Sequence, residues 1–317
     1  MKIHKILCPV DFSDYSQRAL RHAFAIARRN HSELTVLHVE DALLAAARAE
    51  ARLHAPFIGS AESELRTFVD ETERSAVGNV QPVILSGDAV DCIIEQARRD
   101  STDLIVIGTR GRSGLARAVL GSVAERVLTE ARCAVLTVPP AAHGAAMEDL
   151  VPFDPILCAS DFSASCRKAL SLALSLAQES NARLILLHAL QVPVSDLGLM
   201  PLQPIIVDPI DRSECRRLAL ARLQAGLPYD AKSRCRPETL VTTGRPAETI
   251  LRIAEEEHVG VVVMGVHSRG AIDRMLFGST TREVIHAVRC PVLSIRADKH
   301  HPVWVSRPDD AQLAVGA

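Results

Sequence analysis

The sequence predicts an α/β chain of two tandem, doubly wound, open parallel sheets. Three observations carry this expectation. One domain-sized segment occurs twice, short apolar runs alternate with helical patterns in both copies, and the fourth run of each copy leads into a glycine-containing loop. At 317 residues the chain suits two domains better than one, since domains usually run ~100–200 residues.

The duplication is read directly. Residues 5–39 (KILCPVDFSDYSQRALRHAFAIARRNHSELTVLHV) recur as residues 155–189 (PILCASDFSASCRKALSLALSLAQESNARLILLHA), an offset of 150 without a gap. The match resumes at an offset of 157, pairing Gly87 with Gly244, Gly108 with Gly265, Gly121-Ser122 with Gly278-Ser279 and Arg132-Cys133 with Arg289-Cys290. The seven extra residues fall around the Pro-rich stretch 191–209. A repeat of this size is a duplicated domain, not a solenoid unit.

Each copy alternates strand and helix. Ile6–Val10 is too short and apolar for a helix and reads as a buried strand. A helix follows over 14–29, with small or apolar residues at Ala19, Leu20, Ala23 and Ala27 and Ser13 as N-cap. Next come strand Leu34–Val39, helical stretches at 41–53 and 61–76, strand Val80–Leu85, helix 89–99, strand Leu104–Ile107, helix 122–131 and strand Ala134–Val138. Continuous apolar strands joined by helices imply a parallel sheet covered on both faces. The second copy repeats the order and ends at Pro291–Ile295. The expected units are 1–140 and 155–297, with a linker at 141–154 and a tail at 298–317.

Composition narrows the function classes. Thirty-six Lys and Arg against 38 Asp and Glu leave no basic excess for nucleic acid or an anionic membrane, and 3% aromatic content offers few stacking platforms. The first apolar run ends at Asp11 after five residues, which argues against a secretion signal, and no run reaches the roughly 18 residues of a membrane span. Eight cysteines without a C-x-x-C pair suggest neither zinc nor thioredoxin chemistry. A cytoplasmic location with reduced thiols is expected.

The chemistry follows the fourth strand: Gly108, Gly111 and Gly121-Ser122 form G-x2-G-x9-G-S, with Arg110, Arg112 and Arg117 nearby. Glycines let the backbone turn and approach a ligand, exposing N–H groups as an anion nest. A helix opening at Gly121-Ser122 would aim further N–H groups and its dipole at the same anion, so a phosphate chain is the natural guest. The plain alternative is a Gly-rich connection with solvated arginines. Neither G-x-x-x-x-G-K-[ST] nor a G-x-G-x-x-G after the first strand is present, which disfavours Walker-type and dinucleotide sites.

Pro-Val-Asp-Phe-Ser at 9–13, Leu-His-Val at 37–39 and the glycine motif together resemble the universal stress protein family in its tandem form, over about 5–139 and 155–296. The resemblance implies a Rossmann-like sheet of order 3-2-1-4-5 in each unit, with the fifth strands, Ala134–Val138 and Val292–Ile295, pairing as an intramolecular pseudo-dimer. It implies ATP as ligand, with any Mg²⁺ bound through the phosphates. Asp11, after Pro9 and Val10, would face the adenosine, the Val39 backbone the adenine, and Gly108, Gly111, Gly121, Ser122 and Val123 the ribose and phosphates, with Arg110 and Arg112 as the nearby charge of the nucleotide site. The second set is Asp161, Ala189, Gly265, Ser268, Gly278, Ser279 and Thr280. There Ser268 replaces the second glycine and His267 replaces Arg110, so weaker binding or none is expected.

His38 and His188 read as packed, hydrogen-bonded imidazoles, and Cys8, Cys158, Cys133 and Cys290 as buried apolar side chains. The family implies a regulatory or sensing protein, with homodimers of the tandem chain plausible. Asp11 is the only obvious carboxylate and is assigned to the nucleoside, so hydrolysis should be slow at most. The alternatives are an ATPase or nucleotidyl-transfer enzyme on the same superfold, and a flavin-binding electron-transfer protein.

Overall fold

Eighteen elements alternate along the described part of the chain. The structure, a computed structural model, describes residues 3–42, 60–72, 79–111, 120–140, 153–191, 209–229, 231, 235–266 and 278–296. The first unit comprises β1 (Lys5–Val10), α1 (Asp14–Asn30), β2 (Glu33–Glu40), α2 (Ala61–Thr72), β3 (Val80–Ser86), α3 (Ala89–Arg99), β4 (Leu104–Gly108), α4 (Ser122–Glu130) and β5 (Ala134–Val138). The second comprises β6 (Ile156–Ala159), α5 (Ala164–Ser180), β7 (Arg183–Leu190), α6 (Pro209–Ala225), β8 (Arg236–Thr243), α7 (Pro246–Glu256), β9 (Val261–Val266), α8 (Ser279–Ala287) and β10 (Val292–Arg296). Beyond Ala42 the helical stretch expected at 41–53 lies outside the described residues, as do 73–76, linker residues 141–152 and the tail.

All ten strands form one sheet, in the order β3-β2-β1-β4-β5-β10-β9-β6-β7-β8. Each unit has the 3-2-1-4-5 order. Neighbours run parallel except at the junction of β5 and β10, which is antiparallel with Leu136 opposite Leu293. Those leucines hold the same position in the two copies, so a pseudo-two-fold axis passes between them. Other equivalent pairs meet around it. Arg29 donates from Nη2 to the Glu179 carbonyl oxygen at 2.5 Å on the α1/α5 face. Arg282 Nε lies 3.6 Å from Glu125 Oε1 on the α4/α8 face.

Apolar alternation along the strands feeds two cores, one on each face, and both run through the two units. Ile6, Cys8, Val36 and Val106 join Ala19, Leu20 and Phe24 of α1 and their counterparts on one face. Leu7, Leu37, Ile105 and Val135 join Ile93, Val127 and Leu128 on the other. Burying a Leu or Ile side chain contributes roughly 1.5–3 kcal/mol, so the continuous layers bind the units together as well as filling each one.

Local signals set the helix ends. Ser13 Oγ accepts from Ser16 N at 3.2 Å and Ser163 Oγ accepts from Cys166 N at 3.2 Å, capping α1 and α5. His31 and Asn181 close those helices in the left-handed region at φ 53° and 52°. Asp88 Oδ1 accepts from Val90 N and Asp91 N at 3.1 and 3.0 Å and caps α3. By contrast, α4 and α8 begin at Gly121 and Gly278 with no side-chain cap. A helix start without a side-chain cap offers its first-turn N–H groups to another acceptor.

Candidate functional site

Strands β1 and β4 are neighbours, paired at Ile6–Leu104 and Leu7–Ile105, while their chains leave toward β2 and β5 on opposite sides. That is a topological switch point, where ligands of open α/β sheets bind. Asp11 follows β1 and Gly108 ends β4, so both sit at its rim, with Pro9 and Val10 buried just beneath.

Asp11 is held by its own turn. Its Oδ1 accepts from Ser13 N at 3.1 Å and Ser13 Oγ at 2.5 Å, and its N–H donates to Ser16 Oγ at 3.3 Å. The next residue, Phe12, has φ 62°, and Phe162 repeats this at φ 66°. A left-handed aromatic residue costs of order 1 kcal/mol or more and needs support from its surroundings. The Phe12 ring packs on His38 at 4.2 Å and edge-on to Phe68 at 5.4 Å. Phe162 packs on His188 at 4.4 Å beneath the Arg222 guanidinium. His38 Nδ1 lies 2.9 Å from Val10 O and His188 Nδ1 lies 2.7 Å from Ser160 O, so both imidazoles clamp the strand end.

The three motif glycines have different reasons to be glycine. A Cβ on Gly108 would lie 3.0 Å from Tyr15 O, and one on Gly265 would lie 2.5 Å from Cys166 N. Gly265 is therefore required by the close crossing of α5 over a strand end, whether or not a ligand is present, and Gly108 sits in tight contact with α1. A Cβ on Gly111 would lie 2.8 Å from Asp11 Oδ2, so the loop folds directly onto the carboxylate. At Gly121 the nearest atom to a Cβ would be Thr109 O at 3.5 Å, an ordinary contact. Among the described residues, packing leaves room for a Cβ at Gly121; an approaching ligand would not.

Around this loop, Gly121 N donates to Thr109 O at 2.8 Å and Thr109 N donates to Val138 O at 3.0 Å. Arg110 and Gly111 are half-buried, Ser122 is exposed at the helix start, and Val123 and Val39 are half-buried. Arg112 and Arg117 lie outside the described residues.

In the second unit a crevice of about 1250 Å³ opens at the equivalent place. Asp161, Ala189, Gly265, Gly278, Ser279 and Thr280 all line it, and Ser268 lies outside the described residues. Cys166, standing where the first unit has Ser16, lines it as well and accepts from Asp161 N at 3.4 Å. Burial pushes the Cys166 thiol up to about 11, so it stays protonated at neutral pH. Burial likewise pushes Cys133 up to about 11 and Cys290 up to about 12, and raises the fully buried Cys8 and Cys158. Cys8 and Cys158 are core side chains, whereas Cys133 and Cys290, expected to be buried, are half-buried against the core.

Comparison with known proteins agrees with this fold. Residues 2–139 and 152–296 match the sequence model of the universal stress protein family. The chain belongs to that family. A universal stress protein of Methanocaldococcus jannaschii is 34% identical over 149 residues, covering 42% of this chain and 81% of that protein. One from Synechocystis sp. is 25% identical over 315 residues, covering 92% of this chain and 99% of its own length, so it shares the tandem organisation. The solved structure of a universal stress protein from Archaeoglobus fulgidus superposes with a TM-score of 0.65 at 20% identity, covering 94% of this chain and all of that one. Its likeness concerns the fold. Among the described residues no helix is long and apolar enough to cross a membrane.

Sequence reasoning missed three features of this universal stress protein site: the left-handed Phe12 and Phe162, the packing origin of Gly108 and Gly265, and Cys166 in the crevice wall. The repeated Asp-Phe-Ser was visible in both copies, but nothing local in it signals φ > 0 at an aromatic residue.

Proposed function

We propose that the first unit binds an adenine nucleotide, ATP in the first instance, and that occupancy serves a regulatory or sensing role. One observation carries this reading. In each unit a strand-end aspartate and the uncapped start of a helix meet at the switch point, and in the first the glycine loop lies against the aspartate. An uncapped helix N-terminus supplies N–H groups and a positive dipole end, which suits phosphate.

In this reading Gly121, whose N–H is bonded to Thr109 O, opens the helix, the N–H groups of Ser122 and Val123 hold phosphate oxygens, and Gly111 and Arg110 close the loop over them. Asp11, oriented by Ser13, accepts from the nucleoside, and the Val39 backbone faces adenine. Asp11 is thereby committed to the nucleoside end and does not orient water at a terminal phosphate, so hydrolysis is slow at most. Among the described residues no cluster of three His, Cys, Asp or Glu side chains is placed to hold a metal. In this reading a Mg²⁺ ion would enter on the phosphates. The second unit offers a crevice, but Ser268 stands in its loop, and we assign it the weaker affinity. We further assign unit boundaries at 1–140 and 155–297, a cytoplasmic location, and association of whole chains as homodimers.

The test is mass analysis of small molecules released from the denatured purified protein, with calorimetric titration by ATP and AMP. Released adenine nucleotide with saturable ATP binding supports the proposal, and two equal sites per chain would remove the assigned inequality. Absence of both release and binding removes the ligand. A yellow protein releasing flavin would favour the electron-transfer alternative.

A further inference from the structure

The first unit's loop does not end in open solvent. A groove of about 200 Å³, several times the ~30 Å³ share of a water molecule in the liquid, separates it from the end of α8 in the second unit. Thr109, Arg110 and Leu120 form one wall, and His286 and Arg289 contribute to the other.

Connected contacts fix this juxtaposition. Gly121 N is bonded to Thr109 O and Thr109 N to Val138 O, while Thr137 Oγ1 donates to Val292 O at 3.2 Å across the β5–β10 junction. Because that junction is antiparallel, the end of β5 lies beside the entry to β10, where Arg289 stands. The carbonyl end of α8 carries a partial negative charge that favours basic side chains there. Arg289 meets Glu255 at 3.6 Å, with both side chains mostly exposed. A pair of this kind contributes about 0–1 kcal/mol and is easily exchanged for a better acceptor.

The two copies differ here in a telling way. Positions equivalent to His286, Ala287 and Arg289 at the end of α4 are Thr129, Glu130 and Arg132. Glu130 is engaged by Arg126 Nε at 3.2 Å. The loop with both glycines therefore faces an imidazole, an alanine and a guanidinium, whereas the end of α4 carries a carboxylate in the alanine's place.

We propose that the second unit completes the first unit's site, with Arg289 and His286 reaching across the pseudo-two-fold axis to the distal phosphates of the bound nucleotide. This rests on the nucleotide reading above and deepens it. The distal phosphates are the part of the ligand that leaves the loop, and a groove bordered by the Arg110 and Arg289 guanidinium groups matches their charge. Under this arrangement the chain distinguishes tri- from monophosphate through a residue of the domain that does not hold the nucleoside.

The test is calorimetric titration of the full-length chain with ATP and with AMP. Arg289→Ala should weaken ATP binding about tenfold, the loss of one charge-assisted hydrogen bond, and leave AMP binding within about twofold. Arg289→Lys should restore part of the ATP affinity, His286→Ala should weaken ATP selectively as well, and Arg132→Ala at the mirrored position should change neither ligand. Equal losses for ATP and AMP would assign Arg289 a structural role and overturn the proposal. Unchanged ATP affinity would overturn it while leaving the nucleotide site standing. A wild-type chain that binds neither nucleotide overturns both.

Discussion

At the scale of single residues, each motif glycine answers to a different neighbour, and the consequences of replacement differ accordingly. Gly265→Ala would place a methyl carbon 2.5 Å from the backbone of α5, so the helix must shift. We expect a loss of about 1–3 kcal/mol, typical of overpacking, read as a lower thermal midpoint. At Gly121→Phe the Cβ itself meets no such obstacle among the described residues. This variant should keep the wild-type midpoint while abolishing nucleotide binding at the first site by calorimetry, and a wild-type affinity would show that the open start of α4 holds no phosphate. Gly111→Ala falls between these, since its methyl would meet only the Asp11 carboxylate at 2.8 Å. The glycine spacing itself was legible in the sequence. The reason for Gly108 and Gly265 was not, because it lies in helices contacting a strand end some ninety residues later in the chain. The left-handed Phe12 was hidden for a similar reason, since its support comes from His38 and Phe68.

At the scale of elements, periodicity revealed nearly every strand and helix, with ends shifted by one or a few residues where capping decided the boundary. The helix expected over 14–29 runs to Asn30 because His31 supplies the left-handed turn. At α3 the cap also brings a pH dependence. Asp88 accepts from Asp91 and Val90 N–H groups beside Arg126, and these hold its carboxyl below the ordinary value, the Asp91 bond most strongly. A depressed folded value means the stabilisation is fully present above the unfolded value near ~4 and is lost as pH falls through the folded one. Replacing Asp88 by Ala should therefore lower the thermal midpoint at pH 7, and the difference from wild type should shrink in acid. A difference that stays constant down to pH 2 would show that the charge of Asp88 contributes nothing. In α1, Ser13 serves both cap and Asp11, so Ser13→Ala should destabilise by about 1 kcal/mol and also loosen nucleotide binding.

At the scale of the whole molecule, the duplication and the α/β alternation made two similar sheets readable in advance. Their fusion edge to edge came from the family resemblance, since no local pattern in Ala134–Val138 specifies an antiparallel partner. The fusion leaves β3 and β8 as outer strands, and both carry a proline, Pro82 and Pro237, which blunts further pairing. Around the junction, the opposite charges of Glu125 and Arg282 can be tested by exchange. Glu125→Arg alone should lower the thermal midpoint slightly, by no more than about 1 kcal/mol for a partly exposed pair, and adding Arg282→Glu should recover it. Failure of the double exchange to recover would remove any role for that pair. The axis also bears on how the two halves came to differ. In a symmetric dimer, a residue on the axis meets its own twin, so a glutamate there faces a glutamate and an arginine an arginine. Joining the two copies in one polypeptide lifts that constraint. Every position around Leu136 and Leu293 became free to change on one side alone, and the halves could drift toward different tasks while each remained the obligatory partner of the other.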